Sequence, residues 1–237
     1  MQLILLSAGR GSRLSNKLRK SPKSLVKVNG KSIIDHNISF FKKFKDKFII
    51  TGYKKNLLSD FANKNNFKII YNKKFQSTNM VYSMFLSSKF INQDVLICYG
   101  DIIFDHKIFN FFKEKKDIMP LNVNWFKNWK KRMSKQKIKD DAEDVIIKNN
   151  YLHSIGGRIK NKYPKYQYMG LFKFKKSTFF KLKKYFKKMN KKKIDMTTFL
   201  NLSIYEKNIK FSIKKYKSFW YEIDSDKDLK VASREIR

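Results

Sequence analysis

Short apolar runs alternate with stretches of helical period through the first hundred residues, and no other feature constrains the fold as tightly. Leu3–Leu6 is closed by Ser7-Ala8-Gly9, Phe48–Thr51 ends on Gly52, Phe67–Tyr71 follows, and Val95–Tyr99 runs into Gly100-Asp101. Runs this short and this continuously apolar suit strands buried on both faces. Between them lie helical stripes: Ile34, Ile38 and Phe41 within Lys31–Phe44, then Leu57, Leu58, Phe61 and Ala62, then a stretch from about Met80 to Lys89. The expected fold class is therefore α/β, a Rossmann-like three-layer arrangement on a mostly parallel, mixed sheet.

Beyond Asp105 the pattern loosens. A short helix (Ile108–Phe112) leads to a strand (Ile118–Val123), and then Trp125–Asp140 shows no clean period. Val145–Ile147 and Tyr151–Ile155 read as a hairpin turned by Asn149-Asn150, a pair that tolerates the positive φ such turns need. Tyr168–Phe174 is strand-like, helices are expected at Ser177–Met189 and Met196–Glu206, and Ile209–Tyr216 alternates like an edge strand. Phe219–Ile223 then precedes a last helix begun by Asp224-Ser225-Asp226. A length of 237 residues suits a single domain over 1–237 with a small β-rich lid or insertion.

The chain carries 55 basic and 19 acidic residues, a formal net charge of +36. One reading of that excess is a basic, non-catalytic protein that binds nucleic acid. The lysines, however, are spread over almost every segment and gather in no stripe or tail, which suits a biased composition better. No nucleic-acid partner is expected on that ground. Cys98 is the single cysteine, so neither an internal disulfide nor a cysteine-based zinc cluster is available. The apolar start reaches Arg10 and Gly11 too soon for a signal peptide, and nothing approaches the ~20 apolar residues of a membrane span. The expected location is cytoplasmic.

The sharpest local signal follows the first strand. Leu6-Ser7-Ala8-Gly9-Arg10-Gly11-Ser12-Arg13-Leu14 interleaves two glycines with two arginines. Glycines let backbone N–H groups approach phosphate oxygens, arginines add charge-assisted bonds, and an α/β sheet binds ligands past the carboxyl ends of its strands. The spacing completes neither the dinucleotide fingerprint nor the Walker loop. Lys23, after Pro22, supplies a further counter-charge for a triphosphate.

These residues resemble the opening signature of the nucleotidyltransferases that activate sugar phosphates and phosphocholine, L-x-A-G-x-G-[ST]-R-L followed by P-K. The resemblance continues through Tyr71-Asn72, Ser77-Thr78-Asn79-Met80-Val81-Tyr82-Ser83, Gly100-Asp101 with Phe104-Asp105, Asp141-Ala142-Glu143-Asp144-Val145, and Trp220-Tyr221-Glu222-Ile223-Asp224. It is closest to the phosphocholine cytidylyltransferase branch. It implies a nucleotide site built from Leu6, Ala8, Gly9, Arg10, Gly11, Lys23, Thr78, Asn79, Ser83 and Gly100, within a nucleotide-binding part of about 1–115. Arg13, Lys23, Asp101 and Asp224 are implied as catalytic. An acceptor part of about 116–237 would follow.

Asp101 lies at the tip of an apolar strand, and Glu222 and Asp224, two apart on a strand, share a face. Asp101, Glu222 and Asp224 are accordingly the candidate ligands of Mg²⁺, although Asp224 reads equally as the cap of the last helix. The partners implied are CTP and a small phosphorylated or phosphonate acceptor resembling phosphocholine or 2-aminoethylphosphonate. A hexose 1-phosphate acceptor is the alternative within the same superfamily, and self-association as a homodimer stays open. Trp125 and Trp129, four apart, fit one helical face that anchors their segment to the core. The alternative makes one of them, Trp125, a candidate acceptor residue as an aromatic wall for a cationic head group, with Asp141 and Glu143 as matching acids. Family members commonly carry a lysine after I-G in the central hairpin. Here Ile155-Gly156-Gly157-Arg158 stands instead, so either Arg158 or another lysine takes that place.

Overall fold

A computed structural model describes residues 1–16, 18–159 and 162–236. Its strands are β1 (Gln2–Ser7), β2 (Lys27–Val28), β3 (Lys31–Ser32), β4 (Lys47–Thr51), β5 (Lys68–Tyr71), β6 (Val95–Tyr99) and β7 (Ile102–Phe104). They continue as β8 (Ile118–Asn122), β9 (Glu143–Lys148), β10 (Tyr151–Arg158), β11 (Gln167–Tyr168), β12 (Leu171–Phe174), β13 (Ser212–Tyr216) and β14 (Trp220–Glu222). Ten of them form one sheet in the order β5-β4-β1-β6-β12-β8-β13-β10-β9, with β11 paired to β8. The half built from the first hundred residues is parallel: β1 pairs with β4 and β6, and β4 with β5. Every residue of β1, β4 and β6 is buried, which is why their sequences are continuous apolar runs. Helices cover both faces, as the alternation requires.

The second half mixes directions. β12 runs antiparallel to β6, β13 parallel to β8, and the β9–β10 hairpin antiparallel to β13. Asn149 and Asn150 both have positive φ, the conformation expected of that turn. Two expectations change. Lys31–Phe44 holds two short helices, Ile33–His36 and Ile38–Phe41, because Asn37 turns inward and donates to the Ile102 carbonyl at 2.7 Å. Ile209–Tyr216 contributes β13, an interior strand flanked by β8 and β10. Its alternation reflects two unlike faces: Ile213 is buried, whereas Lys214 pairs with Glu114. The stretch without a clean period contains two helices, Trp125–Lys130 and Lys135–Asp141.

Most of the apolar core is one cluster, but a small separate one positions the site. Leu14, Val26, Val28, Ile33, Ile103, Ile223 and Ala232 pack together beneath the glycine-rich loop. The cluster joins that loop, the β2–β3 hairpin, the end of β14 and the last helix, Asp226–Glu235. Among the described residues no helix is long and apolar enough to cross a membrane.

Candidate active site

The acids meet because of a register. β14 pairs antiparallel with β7, Glu222 opposite Ile102 and Tyr221 opposite Ile103, and the Ile223 amide donates to the Asp101 carbonyl at 2.9 Å. Ile223 is fully buried in the small cluster, so its neighbours Glu222 and Asp224 project the other way, toward Asp101. Ligand oxygens of Asp101, Glu222 and Asp224 all lie within 4.8 Å of one another. Asp224 is not the helix cap. Ser225 takes that place in a capping box with Asp228, and Asp228 also accepts from the Asp224 amide at 3.0 Å.

Lys23 enters this cluster from the loop side. Its ammonium lies 2.6 Å from Asp101 Oδ2 and also donates to Asp224 Oδ1. Arg13 reaches Asp224 at 2.8 Å from a more exposed position. Burial alone would lower the Lys23 ammonium, yet the charges of Asp101 and Asp224 raise it well above the ordinary lysine value. Burial, and after it the charges of Asp224 and Asp101, push the Glu222 carboxyl up to about 8. Against the raising effect of its own burial, the charges of Lys23 and Arg13 hold Asp224 below the ordinary carboxylate value. Glu222 is therefore the acid in the cluster whose charge the neighbouring cations do not offset. Among the described residues Asp101 Oδ1 is buried without a hydrogen-bond partner. An all-oxygen set with one orphaned carboxylate oxygen suits a hard divalent cation, and Asp101, Glu222 and Asp224 are the residues that would hold it.

The cluster sits where two clefts join. The first is walled by Leu6, Ala8, Gly9 and Gly100 on the sheet side and by Thr78, Asn79 and Ser83 opposite. Lys23 and Asp101 close its inner end. Gly11 has φ +69°, and a Cβ there would meet Leu14 Cδ1 at 3.0 Å and Lys23 Cβ at 3.3 Å. The glycine thus lets the loop close onto its own lysine. Arg10 lies outside this wall, 5.6 Å over the Tyr53 ring. Sequence reasoning missed Ser24, Phe75, Met80 and Tyr99 in the same cleft. Among the described residues the hydroxyl oxygens of Ser7 and Ser24 are buried and unpartnered there, as binding sites often leave polar groups.

The second cleft holds Glu222, Asp224 and Arg13 at one end, with Asp141 and Glu143 also on its wall. Met80 and Tyr99 line both clefts, so the acids straddle the boundary: Asp101 faces the first, Glu222 and Asp224 the second. The Thr197 hydroxyl lies 2.6 Å from Glu143 Oε1 and 3.1 Å from Asp195 Oδ1. Burial pushes the Glu143 carboxyl above its ordinary value, with the Thr197 bond opposing. Among the described residues Asp141, Glu143 and Asp195 make no ion pair, in a chain with 55 basic residues.

Two expected acceptor residues are placed elsewhere. Trp125 is 1% exposed, donates to the Pro164 carbonyl at 3.1 Å and packs edge-on against Trp129 at 5.2 Å between centroids. It anchors its helix to the core, and Trp129 is the one that reaches the cleft. Arg158 is exposed, stands opposite Glu143 in the hairpin register, and lines neither cleft. Arg132, Gln167, Asp195 and Thr197 line the second cleft without having been singled out by sequence.

A glycine-rich loop and lysine facing carboxylates at the strand ends of an α/β sheet make the arrangement of a nucleotidyltransferase, and the chain is similar to proteins of that kind over nearly its whole length. Residues 3–115 match the MobA-like NTP transferase domain. Over 98% of its length the chain is 28% identical to the CTP:phosphoglutamine cytidylyltransferase of Campylobacter jejuni, of which it covers 98%. It is 31% identical to the choline-phosphate cytidylyltransferase of Streptococcus pneumoniae, over 46% of this chain and 49% of that one. The inositol-1-phosphate CTP transferase from T. maritima shares the fold with a TM-score of 0.79, at 19% identity over 98% of this chain and 95% of that one.

Proposed function

We propose that the whole chain, 1–237, acts as one Mg²⁺-dependent domain that transfers a cytidylyl group from CTP to a small phosphorylated or phosphonate acceptor and releases pyrophosphate. The observation that carries this reading is the carboxylate cluster at the junction of two clefts, one with a phosphate loop and one without. CTP occupies the first cleft, its triphosphate against the loop and Lys23. The acceptor occupies the second. The names of the relatives support CTP and a phosphorylated acceptor.

The acceptor's phosphoryl or phosphonyl oxygen is already an anion at neutral pH, so no protein base or nucleophile is needed. That oxygen attacks the α-phosphorus, the bond from α-phosphorus to its bridging oxygen breaks, and the electron pair leaves with pyrophosphate. Repulsion between two anions is the main obstacle. Mg²⁺ on Asp101, Glu222 and Asp224 would neutralise charge on the triphosphate. Lys23 and Arg13 add fixed positive charge beside it, and Tyr99 and Met80, common to both clefts, set the approach.

The unpaired acids Glu143, Asp195 and Asp141 suit an acceptor that carries a protonated amine, such as phosphoglutamine or 2-aminoethylphosphonate. The reaction belongs in the cytoplasm and involves no nucleic acid. Pyrophosphate release measured with each of four nucleoside triphosphates against phosphocholine, 2-aminoethylphosphonate, phosphoglutamine and glucose 1-phosphate tests the reading. Release with CTP and an amine-bearing acceptor is expected. Release only with glucose 1-phosphate would replace the acceptor class, and none with any pair would overturn the activity.

A further inference from the structure

Arg132 is a charge that the reaction as described does not use. Its side chain is 6% exposed, yet it lines the second cleft beside Glu222 and Asp224. Of the described residues in that wall only Arg13 and Arg132 are basic. Arg13 projects from the phosphate loop, is 61% exposed in its side chain and is committed to Asp224. Arg132 comes from the opposite side, just past the helix Trp125–Lys130, and two contacts fix it. Its guanidinium carbon lies 4.8 Å over the Trp129 ring, and its Nη1 donates to Asp228 Oδ1.

That ion pair does not exhaust the group. A guanidinium carries five N–H donors in a planar fork. Among the described residues the Arg132 side chain makes one hydrogen bond, and none of its nitrogens is sealed away without a partner. The remaining donors border the cleft. The other oxygen of Asp228 is already taken by the amides of Asp224 and Ser225 and by the Ser225 hydroxyl. Asp228 thus holds Arg132 and the backbone of Asp224 with one carboxylate, which fixes the guanidinium relative to the acid cluster.

We propose that Arg132 binds the anionic phosphoryl or phosphonyl group of the acceptor and presents its oxygen to the α-phosphorus; the inference rests on the transfer reaction proposed above. The second cleft is otherwise strongly acidic: Glu222 and Asp224 at one end, Glu143, Asp195 and Asp141 around the rest. An anion cannot enter such a space without a cation to receive it. Arg132 is the pre-positioned candidate, and its planar fork matches two oxygens of a phosphoryl group at once. The acceptor then lies with its anionic end on Arg132, next to the acid cluster, and its amine toward Glu143 and Asp195. An acceptor without a negative charge, or one whose amine and anion are adjacent, does not fit both ends.

The test is initial-rate kinetics of pyrophosphate release by wild type, Arg132→Met and Arg132→Lys, with CTP, Mg²⁺ and phosphocholine, 2-aminoethylphosphonate or phosphoglutamine, alongside melting temperatures. Loss of a charge-assisted contact is expected to raise the acceptor KM about ten- to a hundredfold in Arg132→Met while the CTP KM stays within about twofold. Arg132→Lys, which keeps a cation for Asp228 but loses the fork, should fold as wild type does and recover part of the acceptor affinity. It carries the test should Arg132→Met fail to fold. An unchanged acceptor KM in a folded variant, or CTP and acceptor KM rising together, overturns the assignment of Arg132 alone. No pyrophosphate from wild type with any acceptor overturns the transfer reading, and this assignment falls with it.

Discussion

The Lys23 ammonium lies 2.6 Å from the Asp101 carboxylate, a lysine that follows the glycine-rich loop joined to an acid just past the end of β6. The same ammonium donates to Asp224, so one side chain offsets two carboxylates that would otherwise repel each other. Lys23 can do this because Gly11 lets the loop close over it.

Lys23→Ala should therefore act on the nucleotide. Its charge is wanted both by the bound triphosphate and by departing pyrophosphate, so KM for CTP rises about tenfold or more and kcat falls as well. Arg13→Ala should follow the same direction with a smaller effect, since its side chain is 61% exposed against 12% for Lys23. Steady-state kinetics in CTP check both, and an unchanged KM and kcat would mark either residue as a surface cation.

Asp101→Asn and Asp224→Asn should each lower turnover by about a thousandfold, roughly 4 kcal/mol of transition-state stabilisation, while the protein stays folded. Chelation of the metal with EDTA should have the same effect on wild type and be reversed by added Mg²⁺. Calorimetry alongside the assay separates chemistry from folding. Activity and melting temperature falling in step would assign the acids to structure instead.

Gly11→Ala forces an L side chain to φ +69° and presses a Cβ to 3.3 Å from Lys23 Cβ. The conformation costs about 1–2 kcal/mol. A lower melting temperature is expected from the backbone strain, together with weaker CTP binding, because the new Cβ also displaces Leu14 and Lys23. Thermal melts with and without CTP read both effects.

Glu143 gives a pH dependence with a definite sign. Its folded carboxyl titrates above the ordinary value because of burial, so the folded state binds more protons than the unfolded chain in the window above pH ~4.3. Stability therefore falls as pH rises from the unfolded value through the raised folded one. Glu143→Gln should lose that dependence, melt no lower than wild type at pH 7, and bind an amine-bearing acceptor more weakly. Melts from pH 4 to 7 with acceptor kinetics at pH 7 check it. A large loss of stability at pH 7 would make Glu143 a structural acid.

Much of this site was legible because it depends on short-range chemistry. The loop from Leu6 to Leu14, the strand-end aspartate and the i, i+2 pair of acids are local patterns. Three strands of the parallel half, β1, β4 and β6, announce themselves through runs buried on both faces, whereas β5 is a largely exposed edge. What was not legible depends on partners far away in sequence. Trp125 looked like a candidate wall because tryptophan is unusual in a lysine-rich stretch. Its i, i+4 spacing from Trp129 offered a core anchor as the other reading, and what the local pattern does not show is the Pro164 carbonyl, 39 residues away, that its indole bonds. Arg132 was hidden for the same reason, since its meaning comes from Asp228, 96 residues away. A 3–4 spacing from Trp125 through Trp129 to Arg132 and Met133 was available as a signal of one helical face. Asp195 and Thr197 join the cleft only because the start of the helix Met196–Lys207 packs beside β10.

The central claim is transfer of the α-phosphoryl group with its nucleoside, and the position of a radiolabel tests it most directly. Wild-type protein is incubated with Mg²⁺, an amine-bearing acceptor and CTP labelled either at the α- or at the γ-phosphorus, and the products are separated. The α-label is expected in a cytidylylated acceptor and the γ-label in pyrophosphate, both lost in Asp101→Asn. A γ-label recovered on the acceptor or as inorganic phosphate, or an α-label that stays in CTP, would contradict the account.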